Sequence, residues 1–427
     1  MLFVFGAFFV FQTGDGLSAS KLLYFAGVSL ATILAAAELL SANNKPWLRE
    51  YRWALYGAGL LAFWLLGPGL IHAVASRGIP PQAWARDTLT HLLICFGVVI
   101  GVETARSISL RKARIFVVAV GIVASVGFTT AWLSKRGFGD PTAPSSNQLL
   151  LASIVALTLP LAFALVLALR ARGINLLWFA FAAGLFLSVI VTGTRTAFVL
   201  IAVIFGICGS SERKAVPLLK LLAGGLLGVT VIGILAPLAG SLLSSEDFVN
   251  QRIESAIATL QNGFTSDQSG LIRARAYAYA TSIWRDFPLL GQGVGATFPN
   301  PNPNATASYF TLDTFLTYPA KFGLIGSAVL LIALTMICSA LVPRIGRRAV
   351  EYTAVLGAIG VWIAILPFGP TTEDKGFAIS IALAFLLTGA RRGHDKRLEV
   401  GGDEPPDCPT AHEQERTVDQ RMPTITS

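Results

Sequence analysis

Asp286-Phe-Pro-Leu-Leu-Gly-Gln-Gly-Val-Gly295 and, shortly before it, Ile272-Arg-Ala-Arg-Ala-Tyr-Ala-Tyr279 lie in a polar stretch, Leu243 to Thr317, that interrupts an otherwise almost continuous series of apolar segments. Chains that only span a bilayer keep their connections short. A long excursion carrying arginines, aromatics and glycines therefore reads as a built site.

The flanking chain sets the frame. Hydrophobic residues make up 54% of the 427 residues and charged residues only 13%, a balance that no soluble domain of this length needs. Apolar runs of about 18 to 25 residues match the thickness of a bilayer crossed by a helix. Spans are expected near residues 2–12, 22–42, 53–74, 88–105, 114–133, 147–169, 175–192, 196–209, 215–240, 319–342, 350–367 and 376–390. The fold class is thus an all-α integral membrane protein with about twelve transmembrane helices and one large external loop. The divisions are 1–242, about nine helices; 243–318, the loop with amphipathic helices; 319–392, about three helices; and 393–427, a disordered tail rich in Asp, Glu, Pro and Thr. The first apolar run is too short to cross about 30 Å unaided, so it is expected either to follow further chain or to lie partly in the interface. It lacks the basic start and small-residue cleavage site of a signal peptide.

Orientation follows from the cations. Lys45, Arg49, Arg52, Arg106, Arg111, Lys112, Arg114, Arg170, Arg172, Arg213, Lys214, Arg344, Arg347 and Arg348 fall in alternate short connections, and Arg391, Arg392, Lys396 and Arg397 open the tail. Those connections are expected to be cytoplasmic, with both termini inside and the long loop outside. The net charge of +9 is then a topology signal, and no nucleic acid partner is implied. Cys95, Cys208, Cys338 and Cys408 place no pair in the loop, and His72, His91, His394 and His412 show no ligand spacing, so neither a disulfide nor a metal site is expected. Gly291-Gln-Gly-Val-Gly295 fails the third spacing of a dinucleotide fingerprint.

Arginine offers a fixed fork of donors suited to phosphate or pyrophosphate. Arg195, in Thr192-Gly-Thr-Arg-Thr196, falls at the outer end of two spans, and Arg273 and Arg275 precede the stretch Tyr277 to Trp284. Singly, each is as well explained by snorkelling toward headgroups. Tyr277, Tyr279, Trp284, Phe287, Phe298, Tyr309 and Phe310 provide faces for sugar rings or an isoprenoid chain, with an interfacial aromatic belt as the alternative. Gly291, Gly293 and Gly295 permit close backbone approach.

In order, Asn147-Gln-Leu, Thr194-Arg-Thr-Ala, Arg-x-x-x-Tyr, Asp286-Phe-Pro-Leu-Leu-Gly-Gln-Gly and Phe322-Gly-Leu-Ile-Gly326 resemble the O-antigen ligase/polymerase family over roughly residues 145–345. The resemblance implies a bacterial inner-membrane glycosyltransferase with a periplasmic loop, moving a glycan from an undecaprenyl-pyrophosphate carrier onto an acceptor sugar. It also implies metal-independent, inverting transfer without a cofactor, and a chain-length regulator protein as a partner. Ligases of the family carry a His-Asn or similar pair about ten residues before Gly-x-x-Gly. Here that position reads Leu312-Asp313, and the loop has no histidine. This departure favours polymerisation of O-antigen or exopolysaccharide repeats, with ligation to lipid A-core as the alternative. As a mechanism, Arg195 and Arg275 are expected to be catalytic, Asp313 to replace the absent base and take the acceptor proton, and Arg273, Arg252, Tyr277, Trp284, Gly291, Gly293 and Tyr309 to bind substrate. Arg252 and Gly263 are separated by ten residues, a spacing the resemblance connects with polymerases. Asp313 reads equally as a helix N-cap. A transporter or flippase is the reading from another class, with Glu38, Glu103, His72 and His91 as coupling candidates, although no inverted halves are apparent.

Overall fold

The computed structural model describes residues 19–41, 45–134, 154–170, 176–190, 203–204, 206, 268–301, 311–312, 314–342, 350–374 and 376–400. Ten helices carry the fold among them: α1 (Ala19–Leu40), α2 (Lys45–Leu66), α3 (Pro81–Ser107), α4 (Leu110–Ser134), α5 (Ile154–Arg170), α6 (Leu176–Ile190), α7 (Gln268–Asp286), α8 (Thr317–Leu341), α9 (Val350–Ile365) and α10 (Gly376–Val400). No strand occurs among the described residues.

Among the described residues, three helices are long and apolar enough to cross a membrane: Trp47–Ser76, Pro81–Ser107 and Thr317–Leu341. The first is α2 carried past Gly67 and Pro68 into a π-helical turn, Ile71–Ser76. Pro68 lacks an N–H and crowds the preceding turn, so the α-helical ladder cannot run through it unchanged. The expected spans 2–12 and 215–240 lie outside the described residues, as does the loop from 243 to 267. Helix α10 continues to Val400, beyond Gly393 where composition suggested a disordered tail. Lysine, arginine, leucine and glutamate in 396–399 are all good helix formers, and that local preference extends the span.

Small residues set the packing. A side chain at Gly97 or Gly101 of α3 would meet the backbone of Ala378 or Ala382 of α10, and one at Gly57 of α2 would meet Ala333 of α8. Close approach of this kind substitutes for the hydrophobic drive that lipid cannot supply between apolar helices. Around these contacts Leu61, Leu93, Val98, Phe163, Ala333 and Phe385 form the buried core. The outward faces of α1 and α2 leave Leu23, Leu34, Tyr56 and Phe63 exposed, as lipid-facing surfaces do.

The two ends of the bundle differ. At one, Arg106 pairs with Glu38 and Glu103, Arg114 pairs with Glu351, and Arg170 donates to Thr353. At the other lie the turn after Ser76, the loop following α7, and the connection from α9 to α10. Arg106, Arg114 and Arg170, which the sequence places in expected cytoplasmic connections, thus gather at one end.

Candidate functional site

Helix α8 is broken near its start. Gly323 has φ 64° and ψ −172°, outside the helical region, so the ladder of hydrogen bonds is interrupted there. Freed backbone groups are costly in an apolar setting unless they find partners. The loop after α7 supplies them. The Gln292 N–H donates to the Ala320 carbonyl at 2.8 Å and the Gly293 N–H to that of Lys321 at 3.0 Å. In return the Leu324 N–H donates to the Pro288 carbonyl at 2.8 Å and the Ile325 N–H to that of Leu289 at 3.1 Å. Gly291, at φ 72°, lies against the Lys321 carbonyl, and Gly323 against that of Leu289. A β-carbon at either position would strike backbone. Pro-Leu-Leu-Gly-x-Gly and Gly-Leu-Ile-Gly, distant in sequence, are thus two halves of one construction.

Two further elements hold the glycine turn. The Arg77 guanidinium lies 3.7 Å above the centre of the Phe287 ring, within cation–π range, and its Nη2 donates to the Gly291 carbonyl at 3.4 Å. His72 Nε2 lies 3.1 Å from the same oxygen, a contact that needs the Nε2–H form of the ring. His72 sits in the π-helical turn, a feature that recurs at functional sites. On the far side the Gly295 N–H donates to Asp87 Oδ2 at 2.8 Å, and Ala73, Ile79, Trp84 and Ala296 form a small apolar cluster beneath.

Beside the turn is a buried ion cluster. Lys321 Nζ lies 2.8 Å from Asp87 Oδ1 and 2.8 Å from Glu373 Oε1, with side-chain exposures of 0%, 5% and 6%. The ammonium occupies the place a cation would take between two carboxylates. Thr311 donates to the other Glu373 oxygen. The Thr372 hydroxyl and N–H both donate to Tyr318 Oη, and His91 packs edge-on to Phe322 with Nε2 3.4 Å from Thr372. Burial pushes the Glu373 carboxyl above the usual carboxylate range; Lys321 opposes that shift and Asp87 adds to it. A small pocket between this cluster and the turn is lined by Trp64, His72, Leu290, Val294 and Phe322.

The residues singled out in the sequence distribute unevenly. Gly291 and Gly293 form the turn itself. Tyr277 is half-buried, donates to the Pro367 carbonyl at 2.8 Å and meets Phe315 edge-to-face, which ties α7 to the connection between α9 and α10. Trp284 is half-buried, and its Nε1 is buried without a hydrogen-bond partner. Arg275 is exposed and Arg273 half-buried, two positions apart on α7, so the two side chains leave the helix on different faces. Arg195, Arg252, Tyr309 and Asp313 lie outside the described residues. The transporter candidates separate: Glu38 and Glu103 are engaged by Arg106 at the opposite end, whereas His72 stands at the glycine turn and His91 beside the ion cluster.

Sequence reasoning missed Asp87, Lys321 and Glu373. The signal was present in Lys321, an ionisable residue inside an apolar span, which is itself a reason to look for a partner. It lies two residues inside the expected start of that span at 319.

Comparison with known proteins bears on this same region. A family model described as O-antigen ligase matches residues 179–331, from within α6 through α7 and the glycine turn into α8. No curated protein matches the chain.

Proposed function

We propose that this chain, whose residues 179–331 match a family model described as O-antigen ligase, is a membrane glycosyltransferase that polymerises O-antigen or exopolysaccharide repeats carried on undecaprenyl pyrophosphate. The observation that carries the reading is the union of the two glycine motifs inside the matched region, which builds a shaped loop at the end of the bundle away from the paired cations. By the positive-inside rule that end faces the periplasm of a bacterial inner membrane, with both termini cytoplasmic.

In this mechanism the acceptor hydroxyl attacks the anomeric carbon, the bond from that carbon to the pyrophosphate oxygen breaks, and the leaving lipid pyrophosphate takes the electron pair. Arg275, exposed on α7, and Arg195 stabilise the charge that develops on the leaving group, as preorganised donors do without a metal. Asp313 takes the acceptor proton. Arg273 and Arg252 extend the anion site, while Tyr277, Trp284 and Tyr309 hold sugar rings or the isoprenoid chain. The bilayer supplies the donor, and a chain-length regulator protein sets product size.

Leu312-Asp313 in place of a His-Asn pair favours polymerisation. Ligation to lipid A-core is the second reading, favoured by the description of the matching family. Transport is the weaker alternative, since Arg106 neutralises the two acidic coupling candidates at the opposite end. Arg275→Ala is expected to leave membrane insertion intact and abolish transfer, read as loss of glycan product at an unchanged protein level. Full activity in that variant removes the arginine model.

A further inference from the structure

Lys321 takes part in two constructions at once. Its carbonyl accepts from the Gly293 N–H in the glycine turn, and its ammonium is bonded to Asp87 and Glu373. The second oxygen of Asp87 accepts from the Gly295 N–H, two residues after Gly293. The links close a ring from turn to α8, from α8 to α3, and from α3 back to the turn. A branch through Glu373 reaches Thr311.

A lysine near the end of a membrane span ordinarily reaches outward to headgroups and water. Lys321 does the reverse and is 0% exposed. Taking the ammonium and its carboxylates out of water is unfavourable unless every charge is met, so such a cluster is weak evidence for simple stabilisation. What it supplies here is direction, because each bond fixes one loop relative to a helix. Asp87 stands near the start of α3, and Glu373 ends the short turn Thr371–Glu373. Three connections that share only this end of the bundle thus meet on one side chain.

We propose that Lys321 is a positioning residue which, through Asp87, clamps the glycine turn onto α3 and, through Glu373, holds the strand of chain at Thr311, so that the transfer site keeps one shape. The inference deepens the glycosyltransferase reading and rests on it for the activity arm of the test; the labelling arm stands without it.

The test uses the full-length protein in native membranes with a membrane-impermeant maleimide. Val294→Cys reports on the turn, being buried, and Thr297→Cys is the exposed control. With Lys321→Met or the isosteric Asp87→Asn, Val294→Cys is expected to label about tenfold faster, whereas the double variant is no faster than the faster single because both break one link. Thr297→Cys should label equally throughout, and Lys321→Arg, which keeps the cation, should restore protection. Glycan product should be lost in step with the opening of the turn. Continued protection of Val294→Cys in both single variants at parental protein level overturns the proposal, and so do multiplying effects in the double. Lost product with the turn still closed also overturns it, since Lys321 then does not act through the turn. Opening of the turn in a strain whose glycans never depended on this chain supports the clamp and sinks only the glycosyltransferase reading.

Discussion

Both ends of the helix bundle carry ion pairs, yet they are built on different principles. At the end with the paired cations, water shares the solvation of at least one partner in each pair: Arg106 and Glu38 are 33% and 54% exposed, and Arg114, which meets the buried Glu351, is 42% exposed. At the end with the glycine turn, Lys321, Asp87 and Glu373 are almost wholly withdrawn from solvent and depend on one another. Exposed pairs contribute about 0–1 kcal/mol and tolerate rearrangement. Buried clusters stand or fall together, because removing one member strands the others. The first kind of end suits orientation in a membrane; the second suits a site whose shape must not drift.

The largest effect should come where the turn meets the break in α8. Gly323→Ala combines a backbone at φ 64° and ψ −172°, a region that costs an L-residue about 1–3 kcal/mol, with a collision against the Leu289 carbonyl. Gly78→Ala shares the positive φ of 66° but has nothing within 4 Å of the added carbon, so it should show the backbone cost alone. Thermal unfolding of the two variants in detergent compares them directly. Equal losses would mean that the interlocking of the glycine motifs contributes nothing.

A smaller effect should appear with pH. Because burial raises the Glu373 carboxyl, the folded protein keeps this proton to a higher pH than the unfolded chain does. The associated stability is complete below the ordinary carboxylate range and is lost as pH rises through the raised value. Glu373→Gln removes the titration, so its melting temperature should fall less steeply with pH across that window. An identical slope in both proteins would place the titration elsewhere.

The smallest effect belongs to the opposite end. Arg106→Ala breaks contacts to Glu38 and Glu103 and should cost only about 0.2–1 kcal/mol, with no change at the glycine turn. A loss as large as that of Gly323→Ala would erase the distinction between the ends.

Much of this architecture was legible in the sequence because it is written in local patterns. Apolar runs at bilayer length located α1, α8 and α9 to within a few residues and the end of α3, whose start at Pro81 precedes the expected 88, and Arg106, Arg114 and Arg170 of the expected cytoplasmic connections gather at one end. The glycine motifs were recognised separately, but nothing in sequence says that Gly291 and Gly323 pack against one another's backbone. That contact depends on the break in α8, which an uninterrupted apolar run concealed. The ion cluster was harder still. Asp87, Lys321 and Glu373 each sit beside an apolar segment where a charge normally reaches water, and only the fold turns them toward each other. Arg273 and Arg275 looked like one anion site because they are neighbours in sequence, whereas helical geometry sends them to different faces.

The most direct measurement is a gel analysis of surface and lipid-linked glycans in a strain lacking this chain, complemented with the intact protein or with Arg275→Ala. The account predicts that long chains vanish without the chain, single repeats remain on core or carrier, and only the intact protein restores length. Long glycans accumulating on the carrier above a bare core would instead mean ligation. An unchanged profile would contradict glycosyl transfer altogether.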